Sequence, residues 1–147
     1  MFDAQPHLTG ERLELRPLRA DDFAALAAAA SDPAIWEQHP ADRHREDVFR
    51  AFFDEHLASG GALVVLDRST GEVIGTSRYR GYDAGRSEVE IGYTFLARAG
   101  SDLMLTTVLL TCAFVLVAGR RLSQVARSWA DDATRTGVLA TVAGARA

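Results

Sequence analysis

Residues 62–97 read ALVVLDRSTGEVIGTSRYRGYDAGRSEVEIGYTFLA, and this stretch decides the fold. Three runs, ALVVLD (62–67), EVIGTSRYRGY (72–82) and SEVEIGYTFLA (87–97), are separated by RSTG (68–71) and DAGR (83–86). Runs rich in β-branched and aromatic residues, bounded by short Gly, Asp and Ser clusters, form strands. Connections this short join antiparallel neighbours. The stretch is therefore an antiparallel meander.

Towards the N-terminus, LTGERLELRPL (8–18) alternates apolar and polar residues at Leu13, Leu15 and Leu18 and predicts a strand with Pro17 at its end. Asp21 and Asp22 open an Ala-rich helix through Ala30, where acids in the first turn complement the helix dipole. SDPAIWEQHP (31–40) is a loop, because Pro33 and Pro40 both interrupt helix. Residues 41–58 predict a second helix with Val48, Phe49, Phe52, Phe53 and Leu57 on one face, ended by Gly60 and Gly61.

Towards the C-terminus, LMLTTVLLTCAFVLVAG (103–119) predicts a helix and RLSQVARSW (121–129) a strand. Asp131 or Asp132 caps a last helix through about Val142. A crossover over 90–129 would make the sheet locally parallel there. Element order and length together predict one α+β domain over 1–147, with α/β-like character: a mixed, mostly antiparallel central sheet flanked by helices.

Bulk properties exclude several classes. The net charge is −4, which gives nucleic-acid binding no global electrostatic support. All 16 basic residues are Arg. The single cysteine, Cys112, rules out a disulfide framework and fits a reducing cytoplasm. It lies in an apolar run and reads as a small buried residue, not a nucleophile. MFDAQPHLTGE has no basic and apolar leader pattern, so no signal peptide is expected. His7, His39, His44 and His56 have no metal-ligand spacing, so no metal is expected. Residues 1–100 carry 11 Arg and 17 acids, whereas 101–147 carry 5 Arg and 3 Asp, so the composition shifts near residue 100.

Four pieces, LTGERLELRPLRADDFAALAAAASDP, IWEQHP, GALVVLDRSTGEVIGTSRYRGYD and EVEIGYTFLAR, together resemble the GNAT superfamily of N-acetyltransferases over residues 8–98. More narrowly, they resemble the branch that includes the ribosomal-protein N-terminal acetyltransferases. The resemblance implies a metal-free transfer of an acetyl group from acetyl-CoA to a primary amine on a protein N-terminus or small molecule. It also implies that pantetheine lies along the strand from Glu90 to Ala97. The backbone of Tyr93, Thr94, Phe95 and Leu96 would then polarise the thioester carbonyl.

Within that frame Glu90 is the candidate general base, with Glu88 a competitor on the same strand face. Tyr93 either donates a proton or simply packs. Tyr79, Arg80 and Tyr82 in SRYRGYD either shape the acceptor pocket or form ordinary alternating sheet surface. Trp36, with Glu37 and His39 on the Pro-bounded loop, either binds substrate or anchors the loop on the core.

The sequence departs from the family after this strand. In place of a Gly-rich turn it has Arg98-Ala99-Gly100-Ser101-Asp102, about three residues shorter. Arg98, Gly100, Ser101 and the next helix's first N–H groups are the candidate phosphate ligands, and Asp102 opposes them. Asp132 and Arg135 stand where members often have Asn and Ser. The family's last strands are expected to be missing, which leaves a sheet edge and makes a homodimer plausible. Two alternatives therefore stay open: a catalytically silent, truncated domain of this family, and a small membrane-associated protein using the uncharged segment 103–118.

Overall fold

The computed structural model describes residues 2–37, 39–86, 88–97 and 102–119. Five strands form one sheet: β1 (Leu8–Thr9), β2 (Leu13–Pro17), β3 (Ala62–Asp67), β4 (Val73–Asp83) and β5 (Glu88–Leu96). They lie side by side in chain order, each antiparallel to the next. Three α-helices accompany them: α1 (Phe23–Ala29), α2 (Glu46–Ala58) and α3 (Met104–Gly119). The α+β architecture and the 62–97 meander match the sequence reading. The predicted strand over 121–129, the locally parallel crossover and the last helix lie outside the described residues.

Three elements differ from expectation: the second helix, predicted over 41–58, starts only at Glu46, and the other two lie nearer the N-terminus. The single strand predicted over 8–18 folds back on itself. The Gly10 N–H donates to the Leu13 carbonyl at 2.8 Å, and Leu8 pairs with Leu15 across the resulting hairpin. The loop over 31–40 contains a 3-10 turn at Pro33–Trp36, where the Asp32 carboxylate accepts from the Ala34 N–H. Proline suits the start of such a turn, because its missing N–H needs no partner there.

The core is built in two layers by strand periodicity. β3 is apolar at every position from Ala62 to Val65, as a strand covered on both faces must be. Leu63 and Val65 face one way and pack with Leu13, Leu15, Tyr79, Leu96, Leu103 and Leu110, beneath α3. Ala62 and Val64 face the other way, with Leu26, Trp36, Phe49, Phe52, Phe53 and Phe95, beneath α1 and α2.

The buried stripe of α2 is Phe49, Phe52, Phe53 and His56, the i, i+3, i+4, i+7 pattern of one helix face. Leu57, predicted on that face, is exposed, and His56 takes the place by the core. Gly60 ends the helix with φ +64, the left-handed conformation that glycine adopts without a Cβ penalty.

The corner between β2 and α1 is pinned by charge. The Asp22 carboxylate accepts two bonds from the Arg16 guanidinium, at 2.9 and 2.7 Å, and one from the Arg19 N–H at 2.8 Å. Burial alone would raise the Asp22 carboxyl, but these donors hold it below its usual value.

The uncharged α3 packs on the sheet through Leu110 and Ala113, with Leu103 buried just before its start. Its two buried threonines are satisfied within the helix: Thr107 donates to the Leu103 carbonyl and Thr111 to those of Thr107 and Val108. A helix can therefore carry hydroxyls on its buried face without an orphaned polar group. Among the described residues no helix is long and apolar enough to cross a membrane. Cys112 is half-buried, and burial pushes its thiol up, away from nucleophile chemistry.

Candidate active site

The β4–β5 ladder is irregular where chemistry was expected. Thr76 pairs with Phe95, but Arg78 pairs with Gly92, so Tyr93 and Thr94 together stand opposite Ser77. This is a β-bulge, which bends the strand and interrupts the ladder. Tyr93 takes the strain with φ 54, and it is the one non-glycine residue with positive φ among those described. A left-handed conformation at a bulky residue costs roughly 1–2 kcal/mol, so the surroundings must hold it.

Several contacts do so. The Ser77 and Thr94 hydroxyls share a hydrogen bond of 2.9 Å across the bulge. The Arg78 guanidinium carbon lies 3.7 Å over the Tyr93 ring. Arg80 donates through Nη1 to the Tyr93 hydroxyl at 3.1 Å and through Nε to Glu90 Oε2 at 2.8 Å. One guanidinium thus fixes both Glu90 and Tyr93. Gly75 permits the close approach of the strands, since a Cβ there would collide with the Phe95 carbonyl oxygen.

The bulge opens into a cleft of about 620 Å³ lined by Ile35, Trp36, His39, Arg43, Phe52, Glu90, Tyr93, Thr94 and Phe95. The 3-10 turn, the loop after it and Phe52 in the middle of α2 form one wall, and β5 forms the other. Trp36 is anchored as well as exposed to the cleft: its indole N–H donates to the Ala30 carbonyl at 2.9 Å. The anchoring reading of that residue is therefore seen directly, and its ring also lines the cleft.

Of the residues singled out in the sequence, Glu90, Tyr93, Thr94, Phe95 and Trp36 meet in the cleft, and Arg80 stands behind Glu90 and Tyr93. Tyr79 does not belong there. It is 2 % exposed on the opposite face, and its hydroxyl donates to the Thr111 carbonyl at 2.8 Å. Neighbours in a strand point to opposite faces, so Tyr79 and Arg80 cannot share a pocket. The Leu96 side chain also packs on the α3 face. Glu88 points towards Arg86 at 4.0 Å and does not line the cleft. Arg98, Gly100 and Ser101 lie outside the described residues.

Sequence reasoning missed Arg43, Phe52, Arg78 and His56. Arg78 was legible, since it stands two residues before Arg80 and shares its face. Arg78 is 4 % exposed, donates to Glu55 at 3.1 Å and leaves its Nε without a partner among the described residues.

His56 is 1 % exposed, 3.9 Å from the Phe52 ring and 5.3 Å from the Tyr93 ring, and neither ring nitrogen has a partner among the described residues. Burial, reinforced by the Arg78 charge, lowers its pKa to about 4. A folded pKa below the unfolded one means that the unfolded chain binds the extra proton. Stability should therefore fall as pH drops from ~6.5 to ~4, by roughly 3 kcal/mol in full. Urea unfolding at several pH values should show this slope, and His56→Leu should remove it.

A family model described as the acetyltransferase (GNAT) domain matches residues 12–141. The chain belongs to the GNAT acetyltransferase family. Its fold is similar to a GCN5-related N-acetyltransferase from Brucella melitensis, with TM-score 0.69 and 22% identity over 78% of this chain and 57% of that one. It is also similar to a probable GNAT-family acetyltransferase from Chromobacterium violaceum, with TM-score 0.67 and 25% identity over 93% of this chain and 74% of that one. A third similar structure is the spermidine N-acetyltransferase from Vibrio cholerae in complex with CoA and spermine. Its TM-score is 0.56 and its identity 15%, over 74% of this chain and 66% of that one. The chain thus spans 57% of the length of the Brucella GNAT protein. Among curated proteins none matches significantly.

Proposed function

We propose that this GNAT domain transfers the acetyl group of acetyl-CoA to a primary amine bound in the cleft, in the cytoplasm. The observation that carries the reading is the β5 bulge, which brings Glu90, Tyr93 and a broken backbone ladder to one opening. When bound, acetyl-CoA supplies an activated acyl thioester.

The acyl end fits the cleft beside Thr94 and Phe95. Backbone N–H groups released from the ladder at the bulge are preorganised donors for a carbonyl oxygen gaining charge. As the amine nitrogen bonds to the acyl carbon, Glu90 accepts the amine proton. As the carbon–sulfur bond breaks, Tyr93, whose hydroxyl accepts from Arg80 and keeps its own proton, donates that proton to sulfur. Arg80 positions both groups, and Trp36, Phe52 and Phe95 keep water from the reacting face. The acceptor is a small molecule or a protein N-terminus.

Acetyl-CoA at ~100 times its dissociation constant should add ~2.7 kcal/mol, or about 5–10 °C in melting temperature. Thermal unfolding with and without acetyl-CoA, paired with detection of free CoA thiol in the presence of amines, tests this. A cooperative transition that acetyl-CoA does not move would sink the enzyme reading in favour of a silent domain.

A further inference from the structure

The cleft wall contains a cation that the transfer chemistry above does not use. Arg43 lies between the 3-10 turn and α2, half-buried, with its guanidinium carbon 4.3 Å from the Phe52 ring centroid and 5.6 Å from that of Trp36. Stacking engages the flat face of a guanidinium and leaves its N–H donors directed outward in the plane. None of those donors has a hydrogen-bond or ion-pair partner among the described residues.

The carboxylates nearby are already engaged. Glu55 pairs with Arg78 at 3.1 Å and Glu90 with Arg80 at 2.8 Å. Arg43 is therefore the cleft cation without an ion-pair partner of its own among the described residues, although the Glu55 charge still acts on it. His39 adds a second donor on the same wall. Its Nδ1 accepts from the Ala41 N–H at 3.1 Å, which leaves the proton of the neutral ring on Nε2.

We infer that the acceptor amine carries an anionic group, a carboxylate or a phosphate, and that Arg43 binds it. The inference rests on the amine-transfer reading and names its substrate class. A guanidinium held over an aromatic ring, its N–H donors without a partner among the described residues, suits bidentate recognition of such a group. A polyamine would instead place a second ammonium against Arg43, a like charge. The same guanidinium chemistry would also suit a phosphate of the cofactor, so the test must separate the two.

The experiment measures CoA release by the full chain with a series of ω-amino acids of increasing length, their carboxamides, phosphoethanolamine and spermidine. The acidic amines should exceed their amides in kcat/KM by roughly ten- to a hundredfold, the usual reach of a charged hydrogen bond. Arg43→Gln should abolish that preference by raising the acceptor KM, with the KM for acetyl-CoA and the melting temperature unchanged. Arg50→Gln removes a guanidinium stacked on Phe23 outside the cleft and should change neither KM.

Equal or better use of amides or spermidine overturns the inference while leaving the transfer reading intact. A rise in the acetyl-CoA KM of Arg43→Gln also overturns it, by assigning Arg43 to the cofactor's phosphates. If no amine is acetylated although acetyl-CoA raises the melting temperature, the transfer reading fails and this inference fails with it.

Discussion

Glu90→Gln is expected to lower kcat by about two orders of magnitude or more, with little change in melting temperature. The proposed reading gives Glu90 the amine proton, and glutamine keeps its size but cannot accept that proton. Glu90 is exposed, and its ion pair with Arg80 is a surface contact of small worth, so the fold should tolerate the change. Glu88→Gln is the matched control. It removes a carboxylate from the same strand outside the cleft and should leave kcat within about twofold. Single-turnover acetylation by both variants, at saturating acetyl-CoA, measures the proton-transfer step directly. Equal rates for Glu90→Gln and the wild type would remove Glu90 from the mechanism.

The largest stability effect is expected at Phe49→Ala. Phe49 is 1 % exposed and packs against Phe23, Phe52 and Phe95 at ring separations of 6.1, 5.5 and 6.1 Å. Removing a buried phenyl ring forfeits its transfer energy and leaves a cavity, together about 3–5 kcal/mol. Against a typical total of 5–15 kcal/mol that is a large fraction, and the melting temperature should drop by about 10 °C or more. The damage should reach function as well, since Phe52 and Phe95 are both cleft walls. Leu57→Ala on the same helix should change stability by no more than about 0.5 kcal/mol, because Leu57 is exposed. Urea titration of the two variants distinguishes the buried face of α2 from its solvent face. A larger loss at Leu57 would mean that the helix is rotated from its described orientation.

Much of the fold was legible from local chemistry. The alternation and turns of residues 62–97 specify an antiparallel meander, and the apolar run of Ala62–Val65 specifies a strand covered on both sides. The spacing of Phe49, Phe52 and Phe53 specifies one buried helix face. Strand parity also carried information about the site: Arg78 and Arg80 share a face that Tyr79 cannot. These features depend on near neighbours in the chain, and a single sequence contains them completely.

The arrangement of the candidate site depends on contacts between distant segments. By parity alone, Glu90 and Tyr93, three residues apart, would point to opposite faces of β5. The bulge at Tyr93 and Thr94 reverses that parity, and it exists because Arg78, Ser77 and Arg80 of β4 hold Tyr93 at positive φ. The exchange of Leu57 for His56 on the buried side of α2 is likewise a matter of packing, decided by the Phe52 and Tyr93 rings. The sequence by itself determined the 62–97 meander and the three described helices, and it offered Glu90 as a candidate base. Only the tertiary structure decided which side chains meet, because a bulge and a helix rotation are settled by partners many residues away.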